Sequence, residues 1–510
     1  MTDFTVNGAA VSVPAEGSLL DALREHLGIR SAKDGCSPQG QCGCCTVWVD
    51  GQPRVACVTP VGRVAGRAVT TVEGLPDAEQ WAQRFAACGA SQCGFCTPGI
   101  IVRLAALDTA RRADEGAVRQ ALLAHMCRCT GWQPIVDAAT GGGATPGGGD
   151  TADGRLRAQL EGGVAQSLGP AVALGRGGFA DDTAPADALV AVLDAHGEWL
   201  VGESLAEARR ASGKVQGRRT TAPLTWPIDV PEDPSGVGWV RTLATTWVEP
   251  GYLEPDAAWC RPGGVPVSSH GNGGAFGGKQ SGAVERAARE LADRHGRAVR
   301  VLYTREDVVR RGPKRPPLAA GIRADGTGIA RVARTPGLDR QAAALGDGIE
   351  IVEVDVIGPP TSLDLRGAVW VELAALRASL QPGPAYTVTT PDHGSATASI
   401  DASGAVRVSV GCGAVLDEVV VRSYVTGAAH AALGWVTSEG LSVGADGVPH
   451  DLTIRSFGIL RAVDTPPIEV SIEPSDGPPV AVSQAVMAAV AAAAWARAGY
   501  PARWPVSSAS

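Results

Sequence analysis

Alternation of apolar and polar residues predicts a small β-rich domain over residues 1–75. Phe4–Val13 (FTVNGAAVSV) contains two alternating runs around an Asn-Gly pair, which is the usual signal for a hairpin. Ser18–His26 has helical spacing behind a serine that can cap the helix. Two more strands, joined by a turn, are predicted over Thr46–Asp50 and Arg54–Val58.

Apolar residues at three- and four-residue spacing predict a helical second domain over residues 76–140. The spacing is clearest in Ile100–Asp108 and Val118–His125. Gly141–Asp150 (GGGATPGGGD) then has the composition of a flexible linker. We therefore expect a Gly-rich linker over residues 141–160.

The rest of the chain mixes strands and helices. A helix is predicted over Leu205–Ala211. The apolar run Ala485–Ala496 has 12 residues, too few for a membrane span, and suits a buried helix. Strands are predicted over Val190–Leu193, Trp199–Val201, Val406–Val410 and Ile468–Ile472.

Composition narrows the class of protein. The chain has 510 residues, 45% of them apolar and 19% charged, so it can bury sizeable cores in several domains. The net charge of −8 argues against a nucleic-acid partner. Neither a secretory signal nor a transmembrane helix is visible, so we expect a cytoplasmic protein with no membrane partner.

The cysteines carry the chemistry. Ten of the 12 lie before residue 130, which indicates metal binding or thiol chemistry rather than disulfides in a cytoplasmic chain. Cys44 and Cys88 are expected to be small buried residues. Two sets of four remain: Cys36, Cys42, Cys45 and Cys57, and then Cys93, Cys96, Cys127 and Cys129.

Each set supplies the four thiolates that a [2Fe–2S] cluster needs. Spacing alone also satisfies structural zinc. The tight first loop contains Gly35, Gly40 and Gly43, which let backbone N–H groups approach the sulfur atoms, and this favours iron.

Residues 1–140 resemble the iron–sulfur part of the xanthine dehydrogenase/aldehyde oxidase family of molybdenum hydroxylases. The similarity lies in GCSPQGQCGCCTV (Gly35–Val47), QCGFCTPG (Gln92–Gly99) and MCRCTGW (Met126–Trp132). It implies a ferredoxin-like β-grasp domain whose cysteine set binds an outer cluster. It also implies a helical bundle whose set binds an inner cluster beside the molybdenum cofactor, with Gln92 touching the pterin. The first cysteine loop is one residue longer than the commonest family spacing.

Gly273–Lys279 (GGAFGGK) is a Gly-rich loop of the kind that presents N–H groups to phosphates, although a plain loop also explains it. Residues 160–510 are similar, in patches, to the molybdopterin-binding subunit of the same family. The loop resembles that subunit's GGGFGGK motif, and LRG (Leu365–Gly367) resembles its FRG motif. The resemblance implies that the cofactor is bound by Gly273, Gly274, Phe276, Gly277, Gly278 and Arg366.

The expected fold is a multidomain α+β chain. The β-grasp domain, the helical [2Fe–2S] bundle and the linker are followed by a hammerhead-like α/β domain over 161–235. FADD (Phe179–Asp182) and VGESLAEAR (Val201–Arg209) carry the resemblance to the hammerhead. A shortened molybdopterin-binding-like region over 236–510 completes the chain.

Several departures bear on catalysis. Where the family carries GEPP with its general-base glutamate, this chain reads SDGPP, which places Gly477 at the glutamate and Asp476 beside it. The GQG cofactor motif is absent between Arg366 and Cys412. A segment is missing before His270, which we interpret as a loop histidine. Loss of the base should slow hydroxylation severely, and no catalytic residue is assigned.

Two hypotheses follow from the resemblance. The first is an oxidoreductase that hydroxylates an aldehyde or N-heterocycle, with electrons leaving through two [2Fe–2S] clusters and Arg366 orienting an anionic substrate. An ordinary surface ion pair is the plain alternative for Arg366. The second is an electron-transfer subunit whose molybdopterin-binding-like half is a non-catalytic scaffold. A zinc-stabilised binding protein is a third, weaker reading. Since no FAD-domain segment is visible, the expected partners are a small-molecule substrate and a redox partner or FAD-containing subunit, and a homodimer is left open.

Overall fold

The computed structural model describes residues 1–142, 150–214, 222–268, 274–279, 282–339, 348–473 and 475–506. Within these ranges the chain forms four sheets flanked by helices, a multidomain α+β fold. His270 and Gly273 lie outside the described residues, as do residues 143–149 of the predicted linker.

The first domain is a five-stranded sheet with strand order β2-β1-β5-β3-β4. The predicted hairpin is confirmed, because its two strands pair antiparallel around Asn7 and Gly8 with φ of 51° and 84°. The Ser18 Oγ accepts a hydrogen bond from the Asp21 N–H at 3.1 Å, which caps the predicted helix. The strands are β1 (Thr2–Val6), β2 (Ala9–Val13), β3 (Thr46–Val49), β4 (Gln52–Val55) and β5 (Ala68–Thr70), and the capped turn is α1 (Leu19–Asp21).

The second domain is a helical bundle that shares one hydrophobic core with the first sheet. Trp81, Phe85, Ile100 and Val118 are fully buried in that core, as the helical spacing of apolar residues predicts. The helices are α2 (Ala78–Ala87), α3 (Thr97–Ala105), α4 (Thr109–Ala113), α5 (Glu115–Ala121) and α6 (Gln133–Thr140).

The predicted linker over 141–160 ends earlier than composition suggests, because helix α7 (Ala152–Gly162) occupies most of its second half. The Thr151 Oγ1 caps this helix by accepting from the Gly154 N–H at 2.9 Å. Arg157 is fully buried and donates to the Ala414 carbonyl at 2.6 Å and the Val480 carbonyl at 2.8 Å. Burial of a charged side chain therefore anchors the helix, which composition alone does not predict.

The second sheet has strand order β10-β9-β11-β6-β7 and crosses the predicted domain boundary at residue 235. Strand β6 is buried along its whole length, and it pairs in parallel with β11 from more than 100 positions later. A strand buried on both faces needs neighbours on both edges, so this unit draws on both predicted domains. Its strands are β6 (Leu189–Leu193), β7 (Trp199–Gly202), β9 (Ala257–Cys260), β10 (Val267–Ser268) and β11 (Val299–Leu302).

Helices surround the second sheet. Helix α11 packs against β9 and β11 through a face that includes Val284, Ala288 and Leu291. The helices before and beside this sheet are α8 (Pro170–Ala173), α9 (Ala180–Thr183), α10 (Leu205–Ser212), α11 (Ala283–His295) and α12 (Arg305–Arg311).

The third and fourth sheets have strand orders β14-β13-β12-β8-β19 and β15-β16-β17-β18. Their strands are β8 (Arg241–Thr245), β12 (Leu318–Ile322), β13 (Gly328–Ala333), β14 (Ile349–Val354), β15 (Ala385–Thr389), β16 (Ser395–Ile400), β17 (Val406–Gly411), β18 (Ile468–Glu473) and β19 (Arg503–Trp504).

Three long helices form the core beside these sheets: α13 (Trp370–Ala378), α14 (Glu418–Thr437) and α15 (Ser483–Arg497). The run Ala485–Ala496 is the buried helix that its composition predicts, packed against α14 and β16. In the ranges that the structure describes, no helix is both long and apolar enough to cross a bilayer.

Buried charges join the first two domains to the rest of the chain. Arg305 of α12 is fully buried and donates to the carbonyls of Gly35 at 2.6 Å, Tyr252 at 2.8 Å and Leu253 at 2.8 Å. On the other side of the first sheet, Arg24 bonds Asp181 at 2.7 Å. The position of the first cysteine loop is therefore fixed by side chains from the second half.

We expect Arg305→Ala to destabilise the protein by about 2–4 kcal/mol, because three buried carbonyl groups lose their donor. The measurement is the urea concentration at the midpoint of unfolding, followed by circular dichroism. Arg310→Ala is the matched control on the same helix, since the Arg310 side chain is 39% exposed and its ion pair with Glu306 is worth little. Equal midpoints for the two variants would contradict the structural role of Arg305.

Candidate functional site

The first cysteine set lies buried in the loop before β3. The Cys36 Sγ accepts hydrogen bonds from the N–H groups of Gln39 at 3.1 Å and Gln41 at 3.5 Å. The neighbouring thiols of Cys42 and Cys57, together with these N–H donors, hold the pKa of Cys36 well below its ordinary value. The Cys45 Sγ accepts from the Cys57 N–H at 3.4 Å, so Cys36, Cys42, Cys45 and Cys57 form one cluster of sulfur atoms.

The second set lies in the helical bundle. The Cys93 and Cys129 Sγ atoms are 3.6 Å apart, and the Cys127 Sγ lies 3.2 Å from the Thr130 Oγ1. Hydrogen bonds from the neighbouring thiols of Cys129 and Cys96 hold the pKa of Cys127 well below its ordinary value. The predicted Cys93, Cys96, Cys127 and Cys129 are thus brought together, and all four are buried.

Both sets suit a two-iron cluster. In the described ranges, no group of three or more His, Cys, Asp or Glu side chains surrounds a point where a single metal ion could sit. A [2Fe–2S] cluster divides four thiolates between two irons, so its ligands need not meet at one point. The N–H donors at Cys36 and Cys45 are the kind of contact that tunes a cluster's reduction potential.

Four cysteines lie outside the sets, and the two before residue 130, Cys44 and Cys88, differ in burial. Cys44 is fully buried beside Cys42, and burial contributes to raising its pKa above the ordinary value for a thiol. Cys88 is half-buried rather than buried, and its Sγ lies 3.5 Å from the Gly142 carbonyl oxygen.

Arg128 stands between two cysteines of the second set and contacts the far end of the chain. Its Nη1 and Nη2 atoms each donate to a carboxylate oxygen of Glu439 at 2.6 Å, and its Nε donates to the Pro250 carbonyl at 2.8 Å. The two charged side chains are 2% and 0% exposed. This bidentate pair fixes the second cysteine loop against the molybdopterin-binding-like region.

A main cavity of about 890 Å³ opens in that region, within the range of small-molecule and cofactor sites. Phe276 and Gly277 of the Gly-rich loop line it together with Arg366 and the first turn of α15. Arg366 connects the cavity wall to the second cysteine set, because its Nη2 donates to the Arg128 carbonyl at 3.3 Å. Between the cavity and Cys129 there is thus a direct chain of contacts.

Arg366 is not a surface residue, so the alternative hypothesis of an ordinary surface ion pair is wrong. It is 8% exposed, and its guanidinium lies 3.4 Å from the centre of the Phe276 ring. Burial and the nearby Arg128 lower its pKa to about 9. Arg366 therefore places a largely buried positive charge in the wall of the main cavity.

The Gly-rich loop packs tightly against its neighbours. Gly277 has φ of +96° and lies against the backbone of Asp364, where a side chain would overlap it. Gly274 lies against the Arg128 side chain, and Gly278 lies against Ala275 and Tyr252. Neither Gly274 nor Gly278 lines the main cavity, so close packing accounts for these two glycines better than phosphate contact does.

Gln92 is buried beside the second cysteine set and does not line the main cavity. Its Nε2 donates to the Cys129 carbonyl and to the Ser423 Oγ, both at 3.0 Å, while its Oε1 is buried without a partner. The Tyr424 Oη and both polar atoms of the Gln166 amide are also buried without partners. The Tyr424 ring packs edge-on against Phe276. Gln92 and Tyr424 line a small cavity separate from the main one, and Tyr424 contacts Phe276 of the main cavity's wall, so a polar group that reached them would satisfy these atoms.

The segment expected to carry the general base lies elsewhere. Asp476 is exposed, and neither it nor Gly477 lines the main cavity. Glu161 lines the cavity, but its carboxylate is 0% exposed and accepts from the Val482 and Ser483 N–H groups and the Ser483 hydroxyl. It stabilises the first turn of α15 and is not free to take a proton from a substrate.

Sequence reasoning missed the buried ion pairs around the site. Lys279 pairs with Glu254, Lys314 pairs with Glu249 at 2.9 Å, and Arg128 pairs with Glu439. Arg128 and Lys279 lie within the motifs MCRC and GGAFGGK, but neither motif predicts a buried ion pair. The carboxylate partners are distant in sequence and carry no local motif.

Both cysteine-containing domains match known protein families. A family model described as a 2Fe-2S iron-sulfur cluster binding domain matches residues 1–74, and one described as a [2Fe-2S] binding domain matches residues 71–140. Aldehyde oxidoreductase of Megalodesulfovibrio gigas is 44% identical over 144 residues, which are 26% of this chain and 16% of that protein. The small FeS subunit of nicotinate dehydrogenase from Eubacterium barkeri is 38% identical over 139 residues, which are 26% of this chain and 88% of that subunit.

Solved structures extend the likeness to the whole fold. Aldehyde oxidoreductase from Desulfovibrio gigas matches with a TM-score of 0.66 and 16% identity, over 96% of each chain. The enzyme from Desulfovibrio desulfuricans matches with a TM-score of 0.67 and 16% identity, over 97% of this chain and 96% of that one. Sequence similarity to the curated relatives covers only 16% of the M. gigas enzyme and 11% of a xanthine dehydrogenase from Blastobotrys adeninivorans.

These matches define a chain that begins with two [2Fe–2S]-binding domains. The chain belongs to the xanthine dehydrogenase/aldehyde oxidase family of molybdenum hydroxylases, whose cofactor is a molybdopterin.

We expect Glu439→Gln to lower stability by about 3–5 kcal/mol, because it leaves the Arg128 guanidinium buried without its counter-charge. Thermal unfolding followed by circular dichroism measures the effect. Glu418→Gln is the control, since this residue pairs with Arg422 on the exposed face of α14 and its loss should change stability by less than about 0.5 kcal/mol. A Glu439→Gln protein as stable as the control would refute the role of the pair.

Proposed function

We propose that the chain hydroxylates an aldehyde or N-heterocycle at a molybdenum cofactor and passes the electrons through its two clusters. The observation that supports this is the contact chain from the main cavity to the second cysteine set. Arg366 lines the cavity and donates to the Arg128 carbonyl, and Cys129 is the next residue. A cavity of about 890 Å³ so close to a cluster site suits an enzyme that removes electrons from a bound molecule.

The residues present fit the cofactor. Phe276, Gly277 and Arg366 would contact it directly, and Gln92 would turn its free Oε1 toward it from behind. Gly274 and Gly278 would hold the loop in place through their close packing. A bound molybdenum cofactor supplies two-electron oxidation of a substrate C–H bond with oxygen taken from water. The overall reaction is R–H + H₂O → R–OH + 2 H⁺ + 2 e⁻.

In this proposal Arg366 and the two cysteine sets have defined roles. Arg366 orients an anionic group of the substrate or cofactor, because it places a largely buried positive charge in the wall of the main cavity. Cys93, Cys96, Cys127 and Cys129 bind the inner cluster. The outer cluster is bound by Cys36, Cys42, Cys45 and Cys57.

Electrons leave to a partner protein. The E. barkeri relative is named as a separate small FeS subunit of a dehydrogenase. Its name supports an assembly in which different subunits carry the different cofactors. We propose an FAD-containing subunit or a soluble redox carrier as the acceptor for this chain, with a homodimer as a further arrangement to be measured.

The second candidate is an electron-transfer subunit whose cavity holds no molybdenum. A specific observation favours it, namely that the segment at the general-base position lies outside the cavity and Glu161 is already fully engaged. The two candidates differ in metal content, and this difference can be measured directly.

Elemental analysis of anaerobically purified protein separates the two candidates. The hydroxylase requires about four Fe and one Mo per chain, and an aldehyde or N-heterocycle should bleach the visible absorption of the clusters. About four Fe without Mo in protein made by cells that supply the cofactor would establish the electron-transfer subunit instead.

The cysteine assignment has its own test. Cys45→Ser should reduce the iron content from about four to about two per chain, since a [2Fe–2S] cluster loses one of its four thiolates. Cys44→Ala is the matched control at the next position and should keep about four. Iron measured by mass spectrometry decides, and loss of iron from the Cys44 variant alone would show that the ligand set is wrongly assigned.

A further inference from the structure

The wall of the main cavity contains a buried ion pair that reaches a second cavity. Lys279 lines the main cavity, is 2% exposed, and its Nζ donates to the Glu254 Oε2. Glu254 in turn lines an interdomain cavity of about 40 Å³ between the first domain and the second sheet. The interdomain cavity is lined by Arg24, Asp34, Asp182, Glu254 and Asp256, among others.

The interdomain cavity suits ordered water. The Glu254 Oε1, the Asp256 Oδ1 and the Asp34 Oδ1 are buried without hydrogen-bond partners. A volume of about 40 Å³ exceeds the roughly 10–15 Å³ that one water needs, and each water needs two to four polar partners. Three unpartnered oxygens around such a space give water molecules a place to bind.

The reaction produces protons that the clusters cannot carry. Each turnover releases two protons into the main cavity, whereas the [2Fe–2S] clusters remove only electrons. The cavity opens to solvent beside the exposed Asp364 and Asp392, and a bound substrate occupies that route. With a second route through the cavity wall, protons could leave while the substrate occupies the opening to solvent.

We propose that the Lys279–Glu254 pair carries protons from the main cavity to the interdomain cavity, an inference that rests on the proposed hydroxylase function. The Lys279 N–H bond breaks as an O–H bond forms on Glu254, and the carboxyl group then rotates and releases its proton to water. As that N–H bond breaks, Lys279 takes up a proton from the main cavity and so keeps its charge. Each pass moves one proton and restores both charges.

The surroundings of Glu254 suit a group that changes protonation near neutral pH. Burial raises its pKa to about 7 although Lys279 opposes the shift, and the nearby Asp182 and Asp256 raise it further. The charged groups with the largest effect on it are Lys279 from the Gly-rich loop, Asp182 from α9 and Asp256 from its own segment. The other charged residues that line the interdomain cavity with it are Asp21, Arg24, Glu25, Asp34, Asp181 and Arg209. A carboxyl group with a pKa near the working pH both accepts and releases protons efficiently.

Two variants test the relay in the holoenzyme. Glu254→Gln removes the proton acceptor, and Lys279→Arg keeps the charge but cannot release its proton. Glu249→Gln is the matched control, because Glu249 pairs with Lys314 at 2.9 Å, is equally buried and lines neither of the two cavities. Iron and molybdenum content establishes that all three variants fold and load.

The readouts are proton release and an infrared titration. With an aldehyde or N-heterocycle in weak buffer, a pH-indicator dye should show release slowed at least about tenfold in Glu254→Gln and Lys279→Arg, and unchanged in Glu249→Gln. Infrared spectra of the resting proteins should show a carboxyl band that titrates near pH 7 in the wild type and in Glu249→Gln, and that Glu254→Gln lacks.

The outcomes separate the two proposals. Proton release by Glu254→Gln within twofold of the wild-type rate overturns the relay and leaves the hydroxylase standing. An infrared titration without a Glu254 band near pH 7 overturns it as well. If no substrate bleaches the wild-type clusters, the hydroxylase proposal fails, and the relay fails with it.

Discussion

The ion pair between Arg128 and Glu439 is the contact on which the arrangement of the site depends. Two charges removed from water are costly, and this cost is offset only where the geometry is good and every donor is used. Here both carboxylate oxygens accept at 2.6 Å and the remaining Nε–H has a carbonyl acceptor. Arg128 lies between two cysteines of the second set. If the loop that carries them packed differently against the rest of the chain, a buried charge would be left unpaired. The ion pair therefore selects one position of this loop.

The same principle recurs around the interface between the iron–sulfur domains and the rest. Arg305 satisfies three carbonyl groups, and one of them precedes Cys36. Arg24 and Lys33 both bond Asp182, from the segment that resembles the hammerhead. Such contacts specify orientation more than they add net stability.

Local features of the fold were predictable and long-range ones were not. The hairpin at Asn7, the cap at Ser18 and the buried helix over Ala485–Ala496 follow from short patterns, and the cysteine spacing gives both sulfur clusters. The pairing of β6 with β11 and the helix at Ala152 depend on partners more than 100 positions away. Composition also treats charged residues as exposed, so the buried Arg157, Arg305 and Lys314 could not be expected.

The carboxylates around the main cavity show what the change at Gly477 means for the chemistry. Glu161 accepts hydrogen bonds of 2.6–3.1 Å from the first turn of α15, so its carboxylate is already occupied by a structural role. Asp364 and Asp392 stand at the solvent-exposed side, where they are hydrated and face the route of entry. Glu285 remains, with one buried oxygen unpartnered, on the side nearest the Lys279–Glu254 pair. In the proposed hydroxylase, Glu285 and the Lys279–Glu254 pair are therefore the acid–base groups of this cavity wall that neither hold a helix terminus nor stand at the solvent-exposed side.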